Sequence, residues 1–163
     1  MRLSALAIIA VTTLISFSSC KKDKPSYCEQ DYFGEIILTD ATGAAATSFG
    51  MGSTMNIDLL FINGSSDTIE LTYSSPWITF ELYQGAQMIA ASNDPSTGSS
   101  VSGMSIAPAD TVSAFYPWSS LQPITGTLAP GTYTFKAKNT YQYKGCDAGI
   151  TGVEKTLDFT ITQ

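Results

Sequence analysis

Three cysteines, Cys20, Cys28 and Cys146, are the most reactive side chains in this 163-residue chain, and histidine is absent. Without an imidazole there is no Ser-His or Cys-His pair and no histidine-ligated metal. The 14 Asp and Glu residues are what remains for acid–base chemistry. A paired-carboxylate hydrolase needs two of them converging in one cleft. Here they fall singly, at outward strand positions and in turns, so no spacing forces a pair together. No Asp-x-Asp-x-Asp-Gly loop offers a calcium site; Asn93-Asp94 alone is turn chemistry. The sequence therefore predicts no catalytic residue, no metal and no cofactor.

Charge is sparse and segregated. Charged residues make up 13% of the chain, about half the usual share. Eight basic residues stand against 14 acids, for a formal net charge of −6. No Lys or Arg occurs anywhere from residue 25 to residue 135. Lys21, Lys22 and Lys24 precede that window; Lys136, Lys138, Lys144 and Lys155 follow it. Such a surface repels nucleic acid phosphates and offers no guanidinium fork to a carboxylate. Nucleic acid is excluded as a partner.

Residues 1–19 read MRLSALAIIAVTTLISFSS. A basic start, an apolar stretch and small residues at the end make a secretory signal, which is set aside from the fold. Phe17-Ser18-Ser19-Cys20 resembles the cleavage motif of bacterial lipoprotein signals. The resemblance implies a mature chain that begins at an acylated Cys20 and is anchored in a cell-envelope membrane, in the manner of outer-membrane lipoproteins. Several acyl chains make a lasting anchor. With Cys20 so used, Cys28 and Cys146 remain, and an oxidising compartment favours joining them. The alternative is two thiols too far apart to bond. Residues 20–31 read as a lipid-anchored tether, and 32–163 as one domain.

The domain must then be built from strands. Period-two alternation recurs in short stretches between turn residues, and no stretch sustains a 3.6-residue period. Strands are expected at 33–38, 54–63, 68–73, 77–83, 86–91, 111–118, 131–138 and 153–161, with loops at 41–52, 93–103 and 139–152. In 54–63, Met55, Ile57, Leu59 and Phe61 share one face, Asn56 and Asp58 the other. Asn63-Gly64-Ser65-Ser66-Asp67 reads as the turn of a hairpin joining this strand to 68–73. About eight short strands at this spacing predict an all-β, antiparallel, immunoglobulin-like β-sandwich.

Several of these segments carry a family resemblance. They are Phe61-Ile62-Asn63-Gly64-Ser65-Ser66-Asp67-Thr68-Ile69-Glu70-Leu71, Phe80-Glu81-Leu82-Tyr83-Gln84-Gly85, Ile106-Ala107-Pro108 leading to a strand that ends in Trp118, and Leu128-Ala129-Pro130-Gly131-Thr132-Tyr133-Thr134. Together they resemble the BsuPI-type domain, the intracellular proteinase inhibitor family of bacilli, over roughly residues 54–138. The resemblance implies an immunoglobulin-like sandwich. This chain has Ala109 where the family's middle turn usually carries Gly.

Three functions follow as expectations. The first is a non-catalytic binding module for a protein or glycan. The second is an inhibitor of subtilisin- or chymotrypsin-like proteinases, presenting Met104 after the 93–103 loop or Leu121 in the 118–122 loop. The third is a structural accessory lipoprotein of an envelope complex. Tyr141 and Tyr143, at the tip of the last hairpin, are expected to be exposed and able to contact a partner, whereas Trp77 and Trp118 belong to the core. Asp67-Thr68-Ile69 and Asp110-Thr111-Val112 resemble an Asp-Thr-apolar acceptor sequence, which makes Thr68 and Thr111 candidates for O-glycosylation.

Overall fold

A computed structural model describes residues 28, 30–73, 78–93, 102–121, 126–143, 146 and 150–163. The leader with Cys20, Trp77, Asp94 and most of the 93–103 loop lie outside the described residues. The strands are β1 (Phe33–Thr39), β2 (Ser48–Gly50), β3 (Asn56–Ile62), β4 (Ile69–Tyr73), β5 (Ile78–Gln84), β6 (Gln87–Asn93), β7 (Ser102–Ile106), β8 (Thr111–Pro117), β9 (Gly131–Tyr143) and β10 (Ile150–Thr162). A small sheet runs β1-β3-β8, and a large one runs β2-β10-β9-β4-β7, with β5 also attached to β9 and β6 attached to β5. The chain is an all-β sandwich of immunoglobulin-like architecture.

Alternation sets the faces. Ile57, Leu59 and Phe61 of β3 are fully buried, as are Phe80 and Leu82 of β5 and Phe135 and Ala137 of β9. The two sheets meet through aromatic rings: Phe61 packs edge-on to Tyr141, and Tyr116 edge-on to Phe80. Trp118, buried as expected, closes one end against Phe135 and Phe159. The long β9–β10 ribbon is the spine. One edge of β9 carries β5 along Ile78–Tyr83 and then β4 at Leu71 and Thr72.

Three expectations are corrected. The stretch 41–52 contains a strand: β2 lies parallel to β10, seated by the single buried side chain of Phe49, too little alternation to read in sequence. The stretch 139–152 is mostly strand, since β9 runs on to Tyr143 and β10 starts at Ile150. The strands around Asn63 form no hairpin. β3 pairs with β1 and β8, while β4 pairs with β7 and β9, so the turn after Asn63 carries the chain between sheets.

The return crossing is Ala107-Pro108-Ala109-Asp110, closed by the Asp110 amide donating to the Ala107 carbonyl at 3.1 Å. Ala109 sits at φ 57°, the position where a type II turn asks for glycine. A Cβ in the left-handed region costs about 1–2 kcal/mol, and glycine returns part of that gain as unfolded-chain entropy. Ala109→Gly is therefore expected to stabilise the fold by roughly 0.5–1 kcal/mol and to raise Tm by about 2 °C. An unchanged or lowered melting point would contradict this account of the turn.

Candidate functional site

The structure places the residues singled out in sequence in different settings. Cys28 and Cys146 are joined by a disulfide, their Cα atoms 5.8 Å apart. Leu121 is fully buried at the end of the short 3-10 turn Trp118–Ser120, its amide donating to the Trp118 carbonyl. It cannot be offered to a proteinase. Met104 is not a loop tip either: it lies in β7 opposite Leu71 and packs half-buried against the core. Tyr141 is 1% exposed, and its ring is a core element. Sequence misjudged it because β9 runs through the expected hairpin tip. Tyr143 ends β9 opposite Leu71; its side chain lies outside the described residues. Thr68 and Thr111 are exposed beside the two crossings. The Asp110 carboxylate accepts the Thr111 amide at 2.8 Å, a backbone role that accounts for Asp before Thr there.

Tyr141 works with the disulfide. Its hydroxyl accepts the Tyr32 amide at 3.1 Å and donates to Asp31 Oδ1 at 3.1 Å. Asp31 Oδ1 also accepts the Phe33 amide, and Asp31 Oδ2 faces Lys155 Nζ at 3.0 Å. These contacts fasten the entry to β1 onto the β9–β10 ribbon. The other described lysines are also paired. Lys136 and Lys138 reach Glu154 at 3.1 and 3.4 Å, and Lys136 lies 4.9 Å above the Tyr83 ring. This pairing holds the Glu154 carboxyl below its ordinary value and lifts Lys136 above its own.

A cleft of about 320 Å³ opens at one end of the sandwich, between Ser53–Asn56, the turn at Pro117–Ser119 and Gly126–Leu128. Its lining has hydroxyls and amides but no charged side chain. Trp118 lines the cleft, but its indole N–H is buried and has no hydrogen-bond partner among the described residues.

The outer face of the small sheet is the more unusual surface. Asp58, on the central strand β3, stands directly between Ile37 of β1 and Phe115 of β8. Phe115 is 57% exposed. Ile62, 43% exposed, lies across Gly34 of β1, where an added Cβ would fall 2.5 Å from its Cδ1. Leu60 completes the apolar row beside Glu35 and Ser113. Burial pushes the Asp58 carboxyl above its ordinary 3.8, and among the described residues no hydrogen bond or cation offsets it. A raised folded pKa means the folded state takes up the proton more readily. The cost of the bare charge is full above that folded pKa and is relieved as pH falls through it toward 3.8. Asp58 was read as an outward polar position. That Phe115 lies opposite it follows only from the β3–β8 pairing, which no local pattern reveals.

Among the described residues, no group of three or more Cys, Asp or Glu side chains is placed to hold a metal ion. No protein-family model and no curated protein matches the chain. Solved structures do match in chain path. The C-terminal domain of wzt aligns over 82% of this chain and 75% of its own at 10% identity, with a TM-score of 0.48. A CARDB domain from Pyrococcus furiosus aligns over 81% and 90% at 10% identity, with a TM-score of 0.38. A protein from Archaeoglobus fulgidus aligns over 80% and 98% at 9% identity, with a TM-score of 0.39.

Proposed function

We propose that this protein is a cell-envelope lipoprotein of the outer membrane, anchored through Cys20, whose sandwich is a non-catalytic binding module with the arrangement of a BsuPI-type domain. The observation that carries the binding role is the outer face of β1-β3-β8, where Phe115 stands open beside Asp58 and Ile62 stands open further along β3. The described lysines Lys136, Lys138 and Lys155 are all engaged elsewhere, in ion pairs with Glu154 and Asp31. The Cys28–Cys146 bridge supports export, because it joins the tether cysteine to the domain cysteine and leaves Cys20 as the odd one. The buried Leu121 and the strand-bound Met104 leave the inhibitor reading without a presenting loop among the described residues.

The anchor is tested by mass and fractionation. The protein isolated from its host is expected to begin at Cys20 with acyl chains attached and to sediment with membranes. Cys20→Ala is expected to remove the acyl mass and release the protein from the membrane fraction. A chain that starts elsewhere, or a variant that stays bound, would refute the lipoprotein reading.

A further inference from the structure

We infer that the outer face of β1-β3-β8 receives a protein segment that brings a lysine or arginine, flanked by aliphatic side chains, onto Asp58. This rests on the binding-module reading and names the partner's chemistry. Any partner that covers Phe115, Ile37 and Leu60 also strips water from the Asp58 carboxylate, which stands between Ile37 and Phe115 and next to Leu60 on this face. A charge so buried is strongly unfavourable unless a cation and hydrogen bonds come with the partner. Among the described residues nothing supplies one: Lys136, Lys138 and Lys155 are paired with Glu154 and Asp31, burial is the cause of the raised Asp58 pKa, and the sequence has no Lys or Arg from residue 25 to 135.

The same charge selects against other occupants. A second copy stacked face to face would set Asp58 and Glu35 against their own counterparts, like against like. Anionic headgroups and phosphates are repelled for the same reason. A neutral glycan can hydrogen-bond a carboxylate but offers little to the apolar row of Leu60 and Ile62. A cationic side chain fits both parts. Its head meets Asp58, its stem covers aliphatic surface, and the exposed Phe115 ring offers a cation–π contact.

The test is a photo-crosslink made in the native host with the full chain. Benzoylphenylalanine replaces Phe115, or in separate strains Ser113 on the same face, Met51, or Met88 of β6. Adducts are mapped by mass spectrometry. The expected adduct from the face is a protein segment with a Lys or Arg within a few residues of the linked site. Asp58→Asn should lower its yield at least tenfold. Asp58→Lys should abolish it, and exchange of the partner's cation for Glu should restore it. Asp58→Asn removes a desolvated charge without changing shape, so it should melt no lower than the parent; a melting curve checks this. A carboxylate that only kept the face soluble would leave the yield untouched, and that result overturns the inference. So does an adduct to a lipid, to a polysaccharide or to a segment without a cation. Adducts at Met51 or Met88 but not on the face refute this inference while sparing the binding module. No adduct at any position refutes both.

Discussion

Replacing Cys28 and Cys146 together by serine is expected to destabilise the oxidised protein by about 4 kcal/mol, and to lower Tm by on the order of 10 °C. The bridge spans 118 residues, nearly the whole domain, so its removal frees almost the entire unfolded chain. Chain-entropy reasoning puts a loop of that length near the top of the usual range. The native side adds to this. β1 is an edge strand of the small sheet, and Cys28, Asp31 and Tyr32 fasten its entry to the β9–β10 ribbon, while the Tyr32 carbonyl accepts the Ile62 amide of β3. Without the covalent clamp, the Tyr32 and Phe33 side chains, 2% and 0% exposed, must be held by noncovalent contacts alone. A domain of this size has roughly 5–15 kcal/mol of stability in total, so the loss is a large share of it. Urea unfolding with and without reductant measures the effect directly. Equal midpoints in the two conditions would refute the clamp's role. A Tyr141→Phe variant should show a smaller loss, because it removes the hydroxyl's hydrogen bonds to the Tyr32 amide and Asp31 but leaves the disulfide and the buried ring in place.

The faces of the strands were legible in the sequence, while their partners were not. Alternation in Ile57-Asp58-Leu59-Leu60-Phe61 states which side chains go inward, and the burial agrees residue by residue. It cannot state that Asp58 faces Phe115, 57 positions away, because pairing between distant strands leaves no local mark. The candidate surface is made entirely of such distant pairings, so it stayed hidden. Leu121 and Tyr141 were misplaced for the opposite reason. Both stand next to turn-like sequence, which suggests exposure, but the turn after Trp118 folds inward and β9 extends five residues beyond the expected 138. The Pro turns were read correctly as strand starts. The second is tied by the Tyr133 hydroxyl donating to the Ala129 carbonyl at 2.7 Å, a tyrosine corner of the kind that recurs in immunoglobulin-like folds.

Asn63 shows why the predicted hairpin became a crossing, and it carries the second large effect. Its side chain is fully buried and makes five hydrogen bonds. The two Nδ2 hydrogens are shared among the carbonyls of Asp67, Ile106 and Ala107 at 2.8, 2.9 and 3.1 Å. Oδ1 accepts the amide and hydroxyl of Ser65 at 2.9 and 2.7 Å. Its own amide donates to the Asp110 carbonyl at 3.0 Å. One residue thus stitches the outgoing crossing, 63–68, to the return, 107–110, and satisfies backbone groups that no sheet can reach. Asn63→Ala leaves three carbonyls and the Ser65 amide without this partner, and is expected to cost about 3–4 kcal/mol. Asn63→Asp keeps the shape but turns a donor into an acceptor facing those three carbonyl oxygens. At neutral pH it should cost more than the alanine change, because it adds a buried, unpaired charge. The pH dependence has a definite sign. The folded state would hold this carboxyl protonated far more readily than the unfolded chain does. The extra cost is therefore full above the folded pKa and shrinks as pH falls through it, where the neutral acid can again donate one hydrogen bond. Urea midpoints at pH 7 and pH 4 for the parent and both variants decide the matter. A loss below about 1 kcal/mol for Asn63→Ala, or an Asp variant no worse than the Ala variant at pH 7, would mean the two crossings hold together by other means.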